Sequence, residues 1–202
     1  MLSSIDLQWI ELAGAELGLA PAWLTCTEAD ALFDALLAGV DWEVHRIRMF
    51  GREIDSPRLS CWIGDPGADY TYSRTRFEPH PWLPALRPMR TRLRDTLGID
   101  FNSVLANRYR DGRDAMGWHS DDEPELGLRP VIASISLGAT RRFSLKSRDE
   151  CGGRLALDLP HGSLLVMGGD TQARYRHALP RTARPVGERI NLTFRRVGLS
   201  NG

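Results

Sequence analysis

Along residues 189–195 the chain alternates between two kinds of side chain. Arg189, Asn191, Thr193 and Arg195 fall on one face of an extended segment, and Ile190, Leu192 and Phe194 fall on the other, because successive side chains of a strand point to opposite sides. The apolar set suits a core, so two guanidiniums, an amide and a hydroxyl must address whatever lies opposite. Residues 103–109, 131–137, 142–145 and 163–167 form further runs of strand length, punctuated by Gly112, Gly127, Gly138, Gly152, Gly153, Gly168 and Gly169. A helical rhythm appears only earlier. Thr27 with Glu28 and Asp30 predicts a helix start, since a threonine oxygen can cap free amides and early acids suit the helix dipole. That helix would run through Ala31, Leu32, Ala35 and Leu36 to a stop at Gly39. Leu86, Met89, Leu93 and Leu97 recur every three or four residues before Gly98, predicting a second helix that turns Arg90, Arg92 and Arg94 away. Many short strands without long helices between them predict a mainly β fold, an antiparallel sheet folded into a jelly roll or open barrel with short flanking helices.

Composition narrows the setting. A chain of 202 residues, 42% hydrophobic, can bury one proper core and predicts a single domain over 1–202. Acidic and basic residues balance at 26 each, which excludes a globally cationic surface, but their distribution is uneven. Residues 1–45 hold eight acids and no Arg or Lys, residues 46–113 hold thirteen Arg against eight acids, and from 174 onward seven Arg face the single Glu188. Such segregation can attract a polyanion locally. Cys26, Cys61 and Cys151 lack CxxC spacing and read as reduced thiols. The chain shows neither a run of 18 apolar residues nor a signal-peptide pattern, so the expectation is a soluble, cytoplasmic monomer without a membrane partner.

The strongest local chemistry lies in Trp118-His119-Ser120-Asp121-Asp122-Glu123. In extended backbone His119 and Asp121 share a face and can converge on one ion. His177 is the candidate third ligand, completing a two-histidine, one-carboxylate triad that leaves coordination positions open for a bidentate co-substrate and oxygen. By itself an HxD pair would equally fit a solvated turn; His45, His80 and His161 have no comparable partners and read as packing or surface residues. If the polar face of 189–195 lines a cavity, Arg189 and Arg195 need anionic partners, and a small dicarboxylate supplies two. Asn107 and Tyr109 share a face of their own run and add an amide and a phenol suited to carboxylate oxygens.

In sequence order, Asn107-Arg108-Tyr109, His119 to Pro124, Ser134-Ile135-Ser136-Leu137-Gly138-Ala139 with Arg141 just beyond, His177, and Arg189 to Arg195 resemble the AlkB family of Fe(II)/2-oxoglutarate-dependent nucleic-acid dioxygenases. With weaker matches the resemblance spans 42–197, and it implies a double-stranded β-helix core over 101–197 with a nucleotide-recognition region at about 42–82. It implies His119, Asp121 and His177 as iron ligands and catalytic centre, and 2-oxoglutarate bound by Asn107, Tyr109, Arg189, Asn191 and Arg195. Arg189 would sit at the distal carboxylate and Arg195 near the metal-bound end, with Thr193 in a supporting role. O2 would be the second co-substrate.

The resemblance also implies a substrate. Oxidative demethylation of 1-methyladenine and 3-methylcytosine in single- or double-stranded DNA, and in RNA as a further possibility, would be coupled to conversion of 2-oxoglutarate to succinate. Asp69-Tyr70-Thr71-Tyr72-Ser73-Arg74 is similar to the family's base-binding hairpin, with Tyr72 stacking on an extruded base and Tyr70 on the same side. Asp122 and Glu123, just past two ligands, would favour a cationic methylated base, with Asp122 the better recognition residue and Glu123 bracing the loop. Phe50 in Met49-Phe50-Gly51 is similar to the family's wedge, and Arg46, Arg48, Arg52, Arg58, Arg74 and Arg76 would contact phosphates. The same iron chemistry directed at a protein, lipid or small metabolite is the alternative, and a non-enzymatic jelly-roll binding module the remote one.

Overall fold

Two antiparallel sheets face each other and enclose a polar cavity. The computed structural model describes residues 7–49, 52–72, 75–149 and 153–198, with the side chains of 46–54 and 70–77 outside that description. The larger sheet has seven strands in the order Gln8–Ile10, Glu16–Ala20, Ser163–Gly168, Ile132–Gly138, Arg189–Arg195, Ser103–Tyr109 and Leu59–Gly64. The smaller has four, Arg154–Leu159, Arg141–Ser147, Tyr175–Leu179 and Met116–His119. Strands that alternate between the two layers make this a double-stranded β-helix, the jelly roll that the sequence pattern predicts.

Arg189–Arg195 lies near the centre of the larger sheet. Its register sets Arg189 opposite Tyr109 and Gly138, and Asn191 opposite Asn107 and Ser136. The alternation read from the sequence therefore divides two environments. Ile190, Leu192 and Phe194 join Val104, Ala106 and Ile135 on the outer face, where Leu32, Leu36, Leu86 and Leu93 from two helices cover them. Each such buried side chain contributes about 1.5–3 kcal/mol relative to exposure. Leu145, Leu165, Met167 and Tyr175 form part of a second apolar cluster.

The first helix spans Cys26–Gly39, and its cap is Thr25, not Thr27. The amide of Glu28 donates to Thr25 Oγ1 while Glu28 Oε2 accepts from the Thr25 amide, a reciprocal capping box that starts the helix two residues before the predicted cap. The second helix spans Leu86–Leu97 and ends on Gly98 at φ 69°, a left-handed conformation that glycine adopts without a Cβ penalty.

The stretch 42–82 separates into distinct parts. Among the described residues Arg46–Met49 pairs only with Arg52–Asp55, and Tyr70–Tyr72 only with Thr75–Phe77, giving two small hairpins; Leu59–Gly64 between them is the edge strand of the larger sheet. Phe50, Arg74 and Cys151 lie outside the described residues. Among the described residues no helix is long and apolar enough to cross a membrane.

Candidate active site

The smaller sheet brings the two histidines together by strand pairing. His177 lies directly opposite His119 in the ladder, and their rings meet edge to face with centroids 4.2 Å apart. Asp121 follows the end of the His119 strand, and its backbone amide donates to Gln172 Oε1 at 2.9 Å. One candidate donor atom from each of His119, Asp121 and His177 lies within 4.8 Å of the others, and among the described residues no other group of His, Cys, Asp or Glu converges in this way. His161 instead accepts from the Gly138 amide and faces Asp30, while His45 and His80 sit beside Glu43 and Asp41.

The protonation states suit a metal. The Gly117 carbonyl lies 2.8 Å from His119 Nδ1, an arrangement that places the proton on Nδ1 and leaves Nε2 as a ligand. Burial, joined by the nearby His119, pushes His177 down to about 3, so its imidazole is neutral at ordinary pH. Burial lowers His119 as well, against the pull of Asp121. For Asp121 burial acts upward, but Arg195 and the two imidazoles outweigh it and hold the carboxyl at about 2. Arg195 Nη2 donates to Asp121 Oδ1 at 2.7 Å, whereas the buried Oδ2 has no hydrogen-bond partner. Two neutral imidazoles and a carboxylate with one uncommitted oxygen fit the donor set of a reactive Fe(II) centre with open positions.

The opposite wall fits a dicarboxylate. Arg189 is only 2% exposed, and burial depresses its guanidinium to about 10, which still leaves it charged. Its Nη2 donates to Ser136 Oγ at 2.9 Å, its Nε has no hydrogen-bond partner, and its guanidinium lies 5.4 Å from the Tyr109 ring centre. Among the described residues no carboxylate pairs with it. Asn107, Tyr109, Asn191, Thr193 and Arg195 line the same cavity as His119, Asp121 and His177, with Phe143 and Met116 among its apolar lining.

The reading of Arg58 changes, and those of Asn191, Asp122 and Glu123 gain partners or surroundings. Arg58, grouped by sequence with the phosphate contacts, is buried and donates through Nε to Asn107 Oδ1 at 2.7 Å. The pairing of Leu59–Gly64 with Ser103–Tyr109 carries it inward, so it orients a candidate co-substrate ligand. Asn191 spends its amide donor on Ser134 Oγ and the Ile135 carbonyl, and its oxygen accepts from Thr193, which makes it a rigid part of the wall. Asp122 is exposed and ion-paired with Arg148, while Glu123 leads into a single 3-10 turn over Pro124–Leu126. Tyr70, Tyr72 and Arg52 belong to the hairpins, where the backbone alone is described.

Two residues that build the site have no role assigned from the sequence: Gln172, which sequence reasoning passes over, and Arg141, named only as part of the family motif. Gln172 holds the Asp121 backbone, and the buried Arg141 donates to the carbonyls of Asp111, Asp114 and Pro180, tying together the chain on either side of Tyr109, His119 and His177. Arg141 follows a recognisable motif, so its position carried a signal; Gln172 carried none.

A facial triad at the end of a double-stranded β-helix, facing a buried guanidinium across one cavity, defines a non-haem iron oxygenase of the 2-oxoglutarate type. Comparison with known proteins agrees. Residues 16–195 match the model of the 2OG-Fe(II) oxygenase superfamily. The chain is 43% identical over 191 residues to "Alpha-ketoglutarate-dependent dioxygenase alkB homolog 3" of Rattus norvegicus, covering 89% of this chain and 63% of the rat protein. It is 40% identical over 188 residues to the Homo sapiens protein of the same description, covering 89% and 65%. It is 39% identical over 183 residues to "DNA oxidative demethylase ALKBH2" of Homo sapiens, covering 86% and 70%. The chain thus spans a little under two thirds of the length of the alkB homolog 3 proteins it matches. The solved structure of OsALKBH1 superposes with a TM-score of 0.60 over 95% of this chain and 100% of that one, a likeness of fold at 18% identity. The chain belongs to the AlkB family of Fe(II)/2-oxoglutarate-dependent dioxygenases.

Proposed function

We propose that this protein oxidatively removes alkyl groups from N-alkylated bases, 1-methyladenine and 3-methylcytosine among them, in DNA and in RNA, as a cytoplasmic monomer. The observation that carries the reading is the meeting, in one cavity, of the His119, Asp121 and His177 donor atoms with the buried guanidinium of Arg189. The names of the relatives, which include a DNA oxidative demethylase, supply the substrate class.

His119, Asp121 and His177 would hold Fe(II). Arg189, braced by Ser136 and Tyr109, would bind the distal carboxylate of 2-oxoglutarate by paired, charge-assisted hydrogen bonds. Asn107, held by Arg58, and Arg195, held by Asp121, would meet the co-substrate at its other end. Bound there, iron with 2-oxoglutarate and O2 would supply the oxidising power, converting 2-oxoglutarate to succinate and carbon dioxide and hydroxylating the N-methyl carbon, which would then leave as formaldehyde. The chain's own contribution is positional and electrostatic. Apolar Phe143, Met116 and Leu105 limit water around the reacting atoms. The Asp122 carboxylate, exposed and steadied by Arg148, would favour a cationic methylated base over a neutral one once the base displaces or shares that guanidinium.

The test is a methylated oligonucleotide incubated with the protein, with formaldehyde and restored base both measured. Turnover should require Fe(II) and 2-oxoglutarate together; turnover that survives omission of 2-oxoglutarate overturns the reading. The same lesion placed in single-stranded DNA, duplex DNA and RNA ranks the three substrates.

A further inference from the structure

The outer face of the smaller sheet, turned away from the cavity, carries charges that nothing in the fold explains. At one end the register sets Arg142 opposite Asp158, and the two form an ion pair at 3.3 Å, the usual arrangement for an exposed sheet. At the other end Lys146 lies opposite Arg154 on one side and opposite Arg176 on the other. Three cations therefore sit abreast on adjacent strands, across about 10 Å at ordinary strand spacing. Among the described residues none of the three forms an ion pair with a carboxylate. Like charges placed directly opposite destabilise a sheet, so their alignment calls for an external anion that is itself extended and repeats its charge.

An aromatic group continues the row. Trp118, immediately before His119, faces the other way from its neighbour and is 46% exposed. Its indole lies 4.4 Å from Lys146 Nζ, measured to the ring centre, and its strand is the terminal one of this sheet. The row also runs toward the cavity rim, because Arg148, two residues beyond Lys146, pairs with Asp122 beside the metal ligands. Alternating cations and an exposed ring on one surface is the combination that binds single strands, with charge following the phosphates and the ring accepting a base of any sequence.

We propose that this face is a track for single-stranded nucleic acid, in which Lys146, Arg154 and Arg176 contact successive phosphates and a base flanking the lesion stacks on Trp118. The inference rests on the nucleic-acid reading above but concerns a surface separate from the reacting cavity.

The experiment measures fluorescence anisotropy of an unmodified single-stranded oligonucleotide of about 15 nucleotides, within the range of single-strand sites, at a series of salt concentrations. A variant combining Lys146→Gln, Arg154→Gln and Arg176→Gln should lower the slope of log affinity against log salt by about two, since each phosphate contact contributes roughly 0.7. Trp118→Ala should weaken binding about ten-fold at constant salt and Trp118→Phe much less, as expected for stacking. Circular dichroism and Mn(II) affinity, unchanged in these variants, establish that fold and triad are intact. Equal binding and equal slope for wild type and the triple variant overturn the track, as does a wild type that binds polyglutamate of matched length in preference to the oligonucleotide. The demethylation reading fails independently: an oligonucleotide that binds in a Lys146-dependent manner while its lesion is never turned over supports the track and rejects that reading.

Discussion

Arg195 and Asp121 bind each other across the cavity, a guanidinium from the larger sheet to a carboxylate beyond the end of the smaller one, at 2.7 Å with both side chains buried. The pair leaves Asp121 with one oxygen committed and one uncommitted, and it offsets the cost of burying a carboxylate. Arg195→Met should therefore act twice. Removing one partner of a buried pair costs about 3–5 kcal/mol, read as a drop in the denaturant midpoint of the metal-free protein. It should also weaken Mn(II) binding by calorimetry, because the carboxyl then favours its protonated form. A variant as stable as the parent with unaltered metal affinity would show that the pair is incidental.

The pH dependence of the metal-free protein follows from its depressed groups, His177 and Asp121 foremost, with His119 lowered by burial in the same direction as His177. His177 drops from 6.5 to about 3 and Asp121 from 3.8 to about 2 on folding. In both windows the unfolded chain binds more protons than the folded one, so stability falls as pH is lowered. The decline attributable to His177 begins near 6.5 and is complete near 3; that of Asp121 begins near 3.8. Urea midpoints measured from pH 7.5 down to 4 should decrease steadily, and His177→Gln should flatten the upper part of the curve. A flat profile in the parent protein would contradict the burial of a neutral imidazole.

Arg189 is a charge placed where the fold alone does not need one. Replacing buried ionic groups by apolar ones of similar size is often stabilising, by about 1–4 kcal/mol. Arg189→Met should accordingly melt at a higher temperature than the parent in the absence of 2-oxoglutarate. With Mn(II) already present in both, adding 2-oxoglutarate should raise the melting point of the parent further through ligand linkage and leave that of the variant where it was. A shift of equal size in both would remove Arg189 from the co-substrate site.

Cys61 and Cys26 differ in accessibility. Cys61 is buried in the larger sheet, and burial pushes its thiol up to about 12, whereas Cys26 is exposed at the first turn of a helix. Iodoacetamide at pH 8 should label Cys26 and spare Cys61 until denaturant is added, as read by peptide mass mapping.

Gly138 closes the Ile132–Gly138 strand beside Arg189 at φ 80°, and a Cβ there would lie 2.4 Å from the Glu188 carbonyl oxygen. Left-handed backbone and a clash with main chain both oppose a side chain. Gly138→Ala should destabilise the protein by about 2 kcal/mol or more, seen as a lower denaturant midpoint.

The sheet that binds and the ligands it presents were legible in the chain because two-residue periodicity survives burial on both faces when one side is apolar and the other polar. Arg189–Arg195 and Ser103–Tyr109 have their predicted limits. Strands that are very short or interrupted do not announce themselves. Gln8–Ile10 is three residues at the edge of the larger sheet and Glu16–Ala20 is broken by Gly18, while Tyr175–Leu179 owes its place to ladders on both sides, with Arg141–Ser147 and with Met116–His119. The triad was readable as residue types in a known order, whereas the meeting of His119 with His177 depends on a register across two strands far apart in sequence. Arg58 shows the same limit. Its charge suggested the surface, and only the pairing of its neighbours shows that it faces Asn107.

The two hairpins, Arg46–Met49 with Arg52–Asp55 and Tyr70–Tyr72 with Thr75–Phe77, close their ladders on themselves. Lengthening or exchanging either one therefore leaves every register between the ligand-bearing strands as it was. Variation in those two segments is thereby uncoupled from the spacing of the metal-binding side chains, and an engineer exchanging either hairpin should find the donor geometry unaltered.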